Sequence, residues 1–327
     1  MADLITVAEA ALRIRSGQLL MIAGEEALLA ELPAGSWIGG TTPYFMAPSG
    51  GRADTKRVFV TELSGPVRGG TINVYAHDEL ESIPNDYARQ GCSFIILPTG
   101  SATHFRFANC ASSLPGLFNC PLVGWNAGVM LNSESRSPRV FDGRTRRCLD
   151  DAAVVLHAEL AEDYVARIDI VNPFQQGQGP KIAFPRSGFT VTECWVDGRE
   201  QSFCEFLAKH QADTRWPLVA DYAGAAINVS FRNIDRENNT VHLYAPVFEG
   251  VEYRLAEPVA DLAEVLAREF NERREQPAFT CNCVLNYLYA ELEGKSTGEA
   301  AGPITFGEVA YMQLNQTLVY VTFDRAA

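Results

Sequence analysis

The hydrophobic positions fall in short blocks rather than long ones. Ile5, Ala8, Ala11, Leu12 and Ile14 recur at roughly helical spacing, so Ile5 to Ser16 predicts a helix. The run Leu19-Leu20-Met21-Ile22-Ala23-Gly24 is apolar throughout and predicts a buried strand. A helical segment from Glu25 to Leu32 ends at Pro33, and Ser36 to Thr42 then predicts a strand running into a glycine turn. The order strand, helix, strand repeats. Arg57 to Val60, Thr71 to Tyr75 and Cys92 to Leu97 predict strands, and Glu79 to Gln90 predicts a helix restarted at Pro84.

After Pro138 the texture changes. Val140 to Asp142, Ala152 to His157 and Ala166 to Val171 alternate with turns and predict antiparallel sheet. Phe189 to Val196 ends in Asp197-Gly198, a hairpin signal. Helices are predicted at Glu200 to His210 and Val259 to Arg273, with strands at Ala226 to Asn233, at Thr240 to Pro246, and near Phe279, Thr305 and Leu318. The expected fold is α/β to α+β, in two domains of mixed sheets flanked by helices, 1–200 and 201–327. No short-period repeat marks the chain.

Composition narrows the functional classes. Across 327 residues, 47% are hydrophobic and 20% charged, which describes a globular chain. A surplus of 40 acidic over 27 basic side chains, a net charge of -13, disfavours nucleic acid and anionic membranes as partners. The start, Met1-Ala2-Asp3-Leu4, lacks a leader pattern, and a cytoplasmic location is expected. The eight cysteines then read as free thiols.

The chemistry-bearing residues are scattered. There is no G-x-S-x-G, no P-loop and no G-x-G-x-x-G after a strand, so three common enzyme and nucleotide-binding classes lack their motifs. Cys281 and Cys283 would share one face of a strand, as a soft-metal or redox pair or, more plainly, as two small core side chains. His157 and His242 fit partly exposed sheet positions. His104 follows a strand end, where it suits a polar contact or a haem ligand, although a structural role is the plainer reading.

Two glycine–hydroxyl segments stand out: Gly39-Gly40-Thr41-Thr42 and Thr99-Gly100-Ser101. At strand ends, such residues bring backbone N–H groups and hydroxyls to a ligand, or else form tight turns and helix caps. Gly307-Glu308 could present a carboxylate to a ligand amine, with Arg254 as a counter-ion.

Several segments resemble the FIST family, named for F-box and intracellular signal transduction proteins. They are Leu32 to Thr42, Phe189 to Gly198, Val247 to Ala256, Phe279-Thr280-Cys281, Gly302 to Glu308 and Leu314 to Val319. The chain departs from that family in having Val284-Leu285-Asn286 where an arginine usually follows the cysteine, and in lacking a cysteine at the Gly39-Gly40 turn. The resemblance implies a stand-alone sensory module, made of an N-terminal and a C-terminal region of that family. It would bind a small molecule such as an amino acid near the domain interface and report to a signalling protein partner. Haem is a further ligand implied by the resemblance. The alternatives are a cysteine-dependent enzyme and a haem-binding gas sensor. The expected ligand contacts are Gly39, Gly40, Thr41, Thr42, Thr99, Gly100, Ser101, His104, Arg254, Cys281, Gly307 and Glu308.

Overall fold

Local sequence chemistry sets the small elements. Thr6 starts the helix Val7–Arg15 with a reciprocal cap: its hydroxyl accepts from Glu9 N–H, and the Glu9 carboxylate accepts from Thr6 N–H. The segment from Glu79 forms a 3-10 helix, Leu80–Asp86, with Pro84 inside it, and not a helix running on to Gln90. Asp197 and Gly198 both adopt positive φ, 47° and 80°, as the two-residue turn between Glu193–Val196 and Arg199–Ser202 requires. That hairpin uses residues expected to begin a helix, which instead spans Phe203–Lys209.

A computed structural model describes residues 2–131, 133, 136–222, 224–272, 276–298 and 300–326. The expected helix end at Arg273 lies outside the described residues. The observed helix is Leu262–Asn271. The fold is α+β, built on mixed sheets. It divides into two compact units, 1–171 with 263–313 and 317–327, and 172–262 with 314–316. The second unit is therefore an insertion, and the cut expected at residue 200 falls inside it.

The first unit contains three sheets with one shared plan. The first runs Ala2–Ile5, Val58–Glu62, Leu20–Gly24, Trp37–Thr41, Val140–Asp142, Arg147–Leu149. The second runs Val67–Tyr75, Ala153–Leu160, Gly91–Pro98, Leu122–Ala127, Glu308–Ala310, Met312–Leu314. The third runs Tyr164–Val171, Leu318–Arg325, Phe279–Cys283, Gly302–Thr305, Tyr44–Ala47, Gly50–Ala53. In each, the two central strands are parallel and joined through a helix: Glu26–Glu31, Ala102–Cys110 or Val284–Tyr289. The neighbours outside each central pair run antiparallel to it.

After each parallel pair the chain leaves its sheet, builds a hairpin on a neighbouring sheet, and returns. The hairpin from Tyr44 leaves the first sheet for the third, that from Val140 leaves the second for the first, and that from Glu308 leaves the third for the second. The first unit is thus a threefold repeat of supersecondary units too long and too divergent to register as a short-period repeat. The second unit interrupts the third repeat between Tyr164–Val171 and Leu262–Asn271.

Aromatic side chains fasten the sheets together. Phe45 stacks on Phe59 at 5.9 Å, and Phe279 meets Phe94 at 5.8 Å and Trp125 at 5.7 Å. All five are 2% exposed or less. The second unit has its own core, in which Phe184 makes edge-to-face contacts with both Phe203 and Tyr253.

Close strand approach makes Gly124 irreplaceable, since a Cβ there would overlap the Ile95 carbonyl oxygen of the adjacent parallel strand. Gly69 has open space around its missing Cβ. Gly124→Ala is expected to lower stability by about 2–3 kcal/mol or more. Gly69→Ala should stay within about 1 kcal/mol. Urea midpoints of the two variants check the contrast.

Candidate functional site

The residues expected to meet a ligand fall in three places. The largest group converges where the central strands of the first unit meet. Gly39 and Gly40 lie inside the strand Trp37–Thr41, not in a turn. Their missing side chains make room for structure: a Cβ at Gly39 would press on the Ile22 carbonyl at 2.9 Å, and one at Gly40 on Ile96 at 2.6 Å. Thr41 is 3% exposed, and its hydroxyl accepts from Arg139 N–H at 2.9 Å. The Thr42 hydroxyl donates to the Ile304 carbonyl at 2.6 Å. The Gly307 carbonyl accepts from Asn126 N–H at 2.8 Å. The Cys281 thiol donates to the Gly124 carbonyl at 3.4 Å. These groups are spent holding strands together.

Glu308 is the exception in chemistry, though not in access. It opens the strand Glu308–Ala310 and is fully buried. One carboxyl oxygen, Oε2, accepts from Thr317 N–H at 3.2 Å and from the Thr317 hydroxyl at 2.7 Å. Burial pushes the carboxyl up to about 8, against the opposing pull of hydrogen bonds from Thr317, Cys283 and Thr305. The group is therefore a neutral acid near neutral pH. Burial also pushes the Cys281 thiol well above its ordinary range, with the nearby Glu308 carboxyl adding to it. Cys281 and Cys283 do share a buried sheet face, each 1% exposed, as the plainer reading of the pair has it.

The second group sits at the start of the helix Ala102–Cys110. Gly100 adopts φ 82°, and its N–H donates to His104 Nδ1 at 3.2 Å. Ser101 is the cap, its hydroxyl accepting from His104 N–H at 3.0 Å. Thr99 lies just before this turn. The His104 ring is 3% exposed, and burial lowers its pKa to about 4. This is a cap and turn, with the imidazole neutral.

Arg254 alone opens onto a groove. The groove belongs to the second unit and has a volume of about 460 Å³. Arg254 pairs with Val219 across the antiparallel strands Tyr253–Leu255 and Leu218–Tyr222. Its Nη1 donates to the Gly179 carbonyl at 2.8 Å, which fixes the guanidinium beside the glutamine- and glycine-rich loop. Asp221 faces the same groove, with Oδ1 accepting from Gly224 N–H at 2.6 Å. Lys181 and Glu252, paired at 2.7 Å, separate this groove from a neighbouring hollow of about 300 Å³ that includes Trp195. Trp195 is 39% exposed, a large apolar side chain left at the surface.

Lys181, Trp195, Asp221 and Glu252 were missed because nothing in their local sequence distinguishes them from solvated strand positions. Period-two alternation in Glu193–Val196 does put Trp195 outward, and was the one available signal. His157, expected to be partly exposed, is 2% exposed. Among the described residues no group of three or more His, Cys, Asp or Glu side chains is placed to hold a metal ion. No described helix is long and apolar enough to cross a membrane.

The chain belongs to a family of unknown function, DUF6976, whose model matches residues 5–324. No curated protein matches it. The match covers nearly the whole chain and no FIST match accompanies it, so the resemblance to that family is withdrawn. The segments that carried it are short strand-and-turn pieces, and such pieces recur wherever strands end in glycine turns.

In the unfolded chain the Glu308 carboxyl titrates near 4.5, and in the fold near 8. Between these values the folded state holds a proton that the unfolded state lacks, so stability falls as pH rises through this window and levels off above it. A tenfold difference in proton affinity between the two states is worth about 1.4 kcal/mol. Glu308→Gln keeps the acceptor for Thr317 without the titration. Urea midpoints at about pH 5 and pH 8 should show wild type losing at least about 1.4 kcal/mol more than the variant over this range.

Proposed function

We propose that the chain is a small-molecule-binding protein whose ligand is a small zwitterion such as an amino acid, held in the Arg254 groove of the second unit. One observation carries the reading: a concave surface of about 460 Å³ lined by side chains of both signs, Arg254 and Lys181 with Asp221 and Glu252. Arg254 uses one guanidinium nitrogen on the Gly179 carbonyl, and its remaining N–H groups suit a carboxylate. Asp221 uses Oδ1 on Gly224, and Oδ2 suits an ammonium group. Tyr222 and Val251 add apolar wall for a side chain.

The reading keeps ligand binding from the sequence expectations and moves it away from the strand ends. A sensory output and a signalling partner rested on the withdrawn resemblance and form no part of it. The cysteine-enzyme alternative gains nothing from Cys281, a buried thiol whose proton burial holds in place. The haem alternative gains nothing from His104, which is 3% exposed and whose Nδ1 accepts from Gly100 N–H, leaving the ring proton on Nε2. The setting taken for the protein is the cytoplasm, in keeping with eight free thiols.

A thermal-shift screen with the common amino acids tests the reading. At least one should raise Tm. Arg254→Ala and Asp221→Asn should each weaken its apparent affinity about tenfold or more, as expected for losing a charge-assisted contact. A flat screen, or shifts that survive both substitutions, would refute it.

A further inference from the structure

Behind a cleft in the first unit lies a chain of four hydrogen-bonded side chains that no part of the proposed function uses. Ser93 and His157 face each other across adjacent antiparallel strands, with Ser93 Oγ 2.8 Å from His157 Nδ1. His157 Nε2 lies 2.9 Å from the Tyr75 hydroxyl, and that hydroxyl donates to Asp86 Oδ2 at 2.6 Å. Ser93, His157 and Tyr75 are 4% exposed or less, whereas Asp86 is exposed.

The direction of the chain follows from proton counting. Tyr75 has one proton, and Asp86 takes it. The Tyr75 oxygen therefore accepts from His157 Nε2–H, and His157 Nδ1 accepts from Ser93 Oγ–H. The imidazole is neutral, because burial lowers its pKa to about 4 against the pull of Asp86. Asn73 Nδ2 gives the Tyr75 hydroxyl a further contact at 3.4 Å. The result is a carboxylate fixed at the surface by a buried, fully directed network.

Asp86 and Tyr75 line a cleft of about 410 Å³, together with Glu79, Asp142, Arg144 and Arg147. Asp142 is already taken up by Arg144, through its backbone N–H at 3.0 Å and its side-chain Nε at 3.4 Å, and by the Thr145 hydroxyl at 2.8 Å. An anionic ligand would meet the carboxylates of Asp86 and Glu79, and a cationic ligand would meet the guanidinium of Arg147, that of Arg144 being paired with Asp142. A neutral ligand with several hydroxyls avoids both repulsions. Its hydroxyls would donate to the carboxylates and accept from the arginine forks.

We propose that this cleft binds a small neutral polyol of the sugar class, read by Asp86, Tyr75 and Arg147. The Ser93–His157 pair holds Tyr75 and so positions Asp86. A ligand hydroxyl on Asp86 competes with Tyr75 for the carboxylate, and the change passes to His157 Nε2.

Nitrogen NMR of histidine-labelled protein reads this directly. His157 should rest as the neutral Nε2–H form. Titration with glucose, ribose and glycerol should move its ring nitrogens with at least one of them, while inorganic phosphate and glycine should not. Asp86→Asn and Arg147→Gln, both at exposed positions, should weaken the responding ligand about tenfold or more. No response to any of the three polyols, a response as strong to phosphate or glycine, or affinity unchanged in both variants would overturn the sugar site. A resting Nδ1–H form would overturn the donor chain. Because His157 belongs to the first unit and the Arg254 groove to the second, failure of one site leaves the other separately testable.

Discussion

The exchange of hairpins is the constraint on which the first unit depends. No sheet there is complete from one continuous stretch of chain: the outermost two strands on one side of each are supplied by another repeat. On that side of each sheet, the strand of the central pair that would otherwise be an edge is paired from within the same chain. The arrangement also forces the central strands of different sheets close together, as the contacts of Trp37–Thr41 with both Gly91–Pro98 and Leu122–Ala127 show. Space at that meeting is so limited that glycine is required at position 40, where a side chain would run into Ile96 of the neighbouring sheet.

This constraint explains the fate of the strand-end residues. In an open α/β sheet the carboxyl ends of the strands face a crevice, and hydroxyls there are free for a ligand. Here the strand ends face other strands. Thr41, Thr42, Asn126 and Gly307 bond to backbone groups of neighbouring segments, and the burial that results makes Glu308 a neutral acid. Open concave surfaces with charged linings lie elsewhere, on the outer face of a sheet in the second unit and beside the hairpin from Val140 in the first.

Much of the secondary structure was legible because it is written locally. The apolar run at Leu20–Gly24, the cap at Thr6 and the Asp197-Gly198 hairpin all carry their signals within a few residues. The α+β character follows from the same signals. The threefold plan was not legible, because its repeats share strand order while differing in length and in side chains. Trp37-Ile38-Gly39-Gly40, Leu122-Val123-Gly124-Trp125 and Gly302-Pro303-Ile304-Thr305 occupy equivalent places with little in common beyond small residues. The insertion was hidden for a related reason: both of its ends are ordinary strand-to-loop and loop-to-helix passages without a linker composition.

The legibility of the polar residues follows a physical rule rather than chance. A glycine–hydroxyl turn reads the same in sequence whether its donors meet a ligand or a neighbouring strand, since only tertiary placement decides which. A charged side chain on an alternating strand reads as solvated whether or not others of opposite sign lie across the sheet. Arg254 sits two strands from Trp195 and over thirty residues from Asp221, so no window of sequence holds the three together. Ser93 and His157 are likewise brought together only by cross-strand register, and Tyr75, whose register partner is Ala153, reaches His157 only through the length of its side chain. In a fold that closes its strand ends, chemistry that remains open to solvent must be assembled on outer faces from such distant pairs, and the motifs most conspicuous in sequence mark where the chain packs against itself.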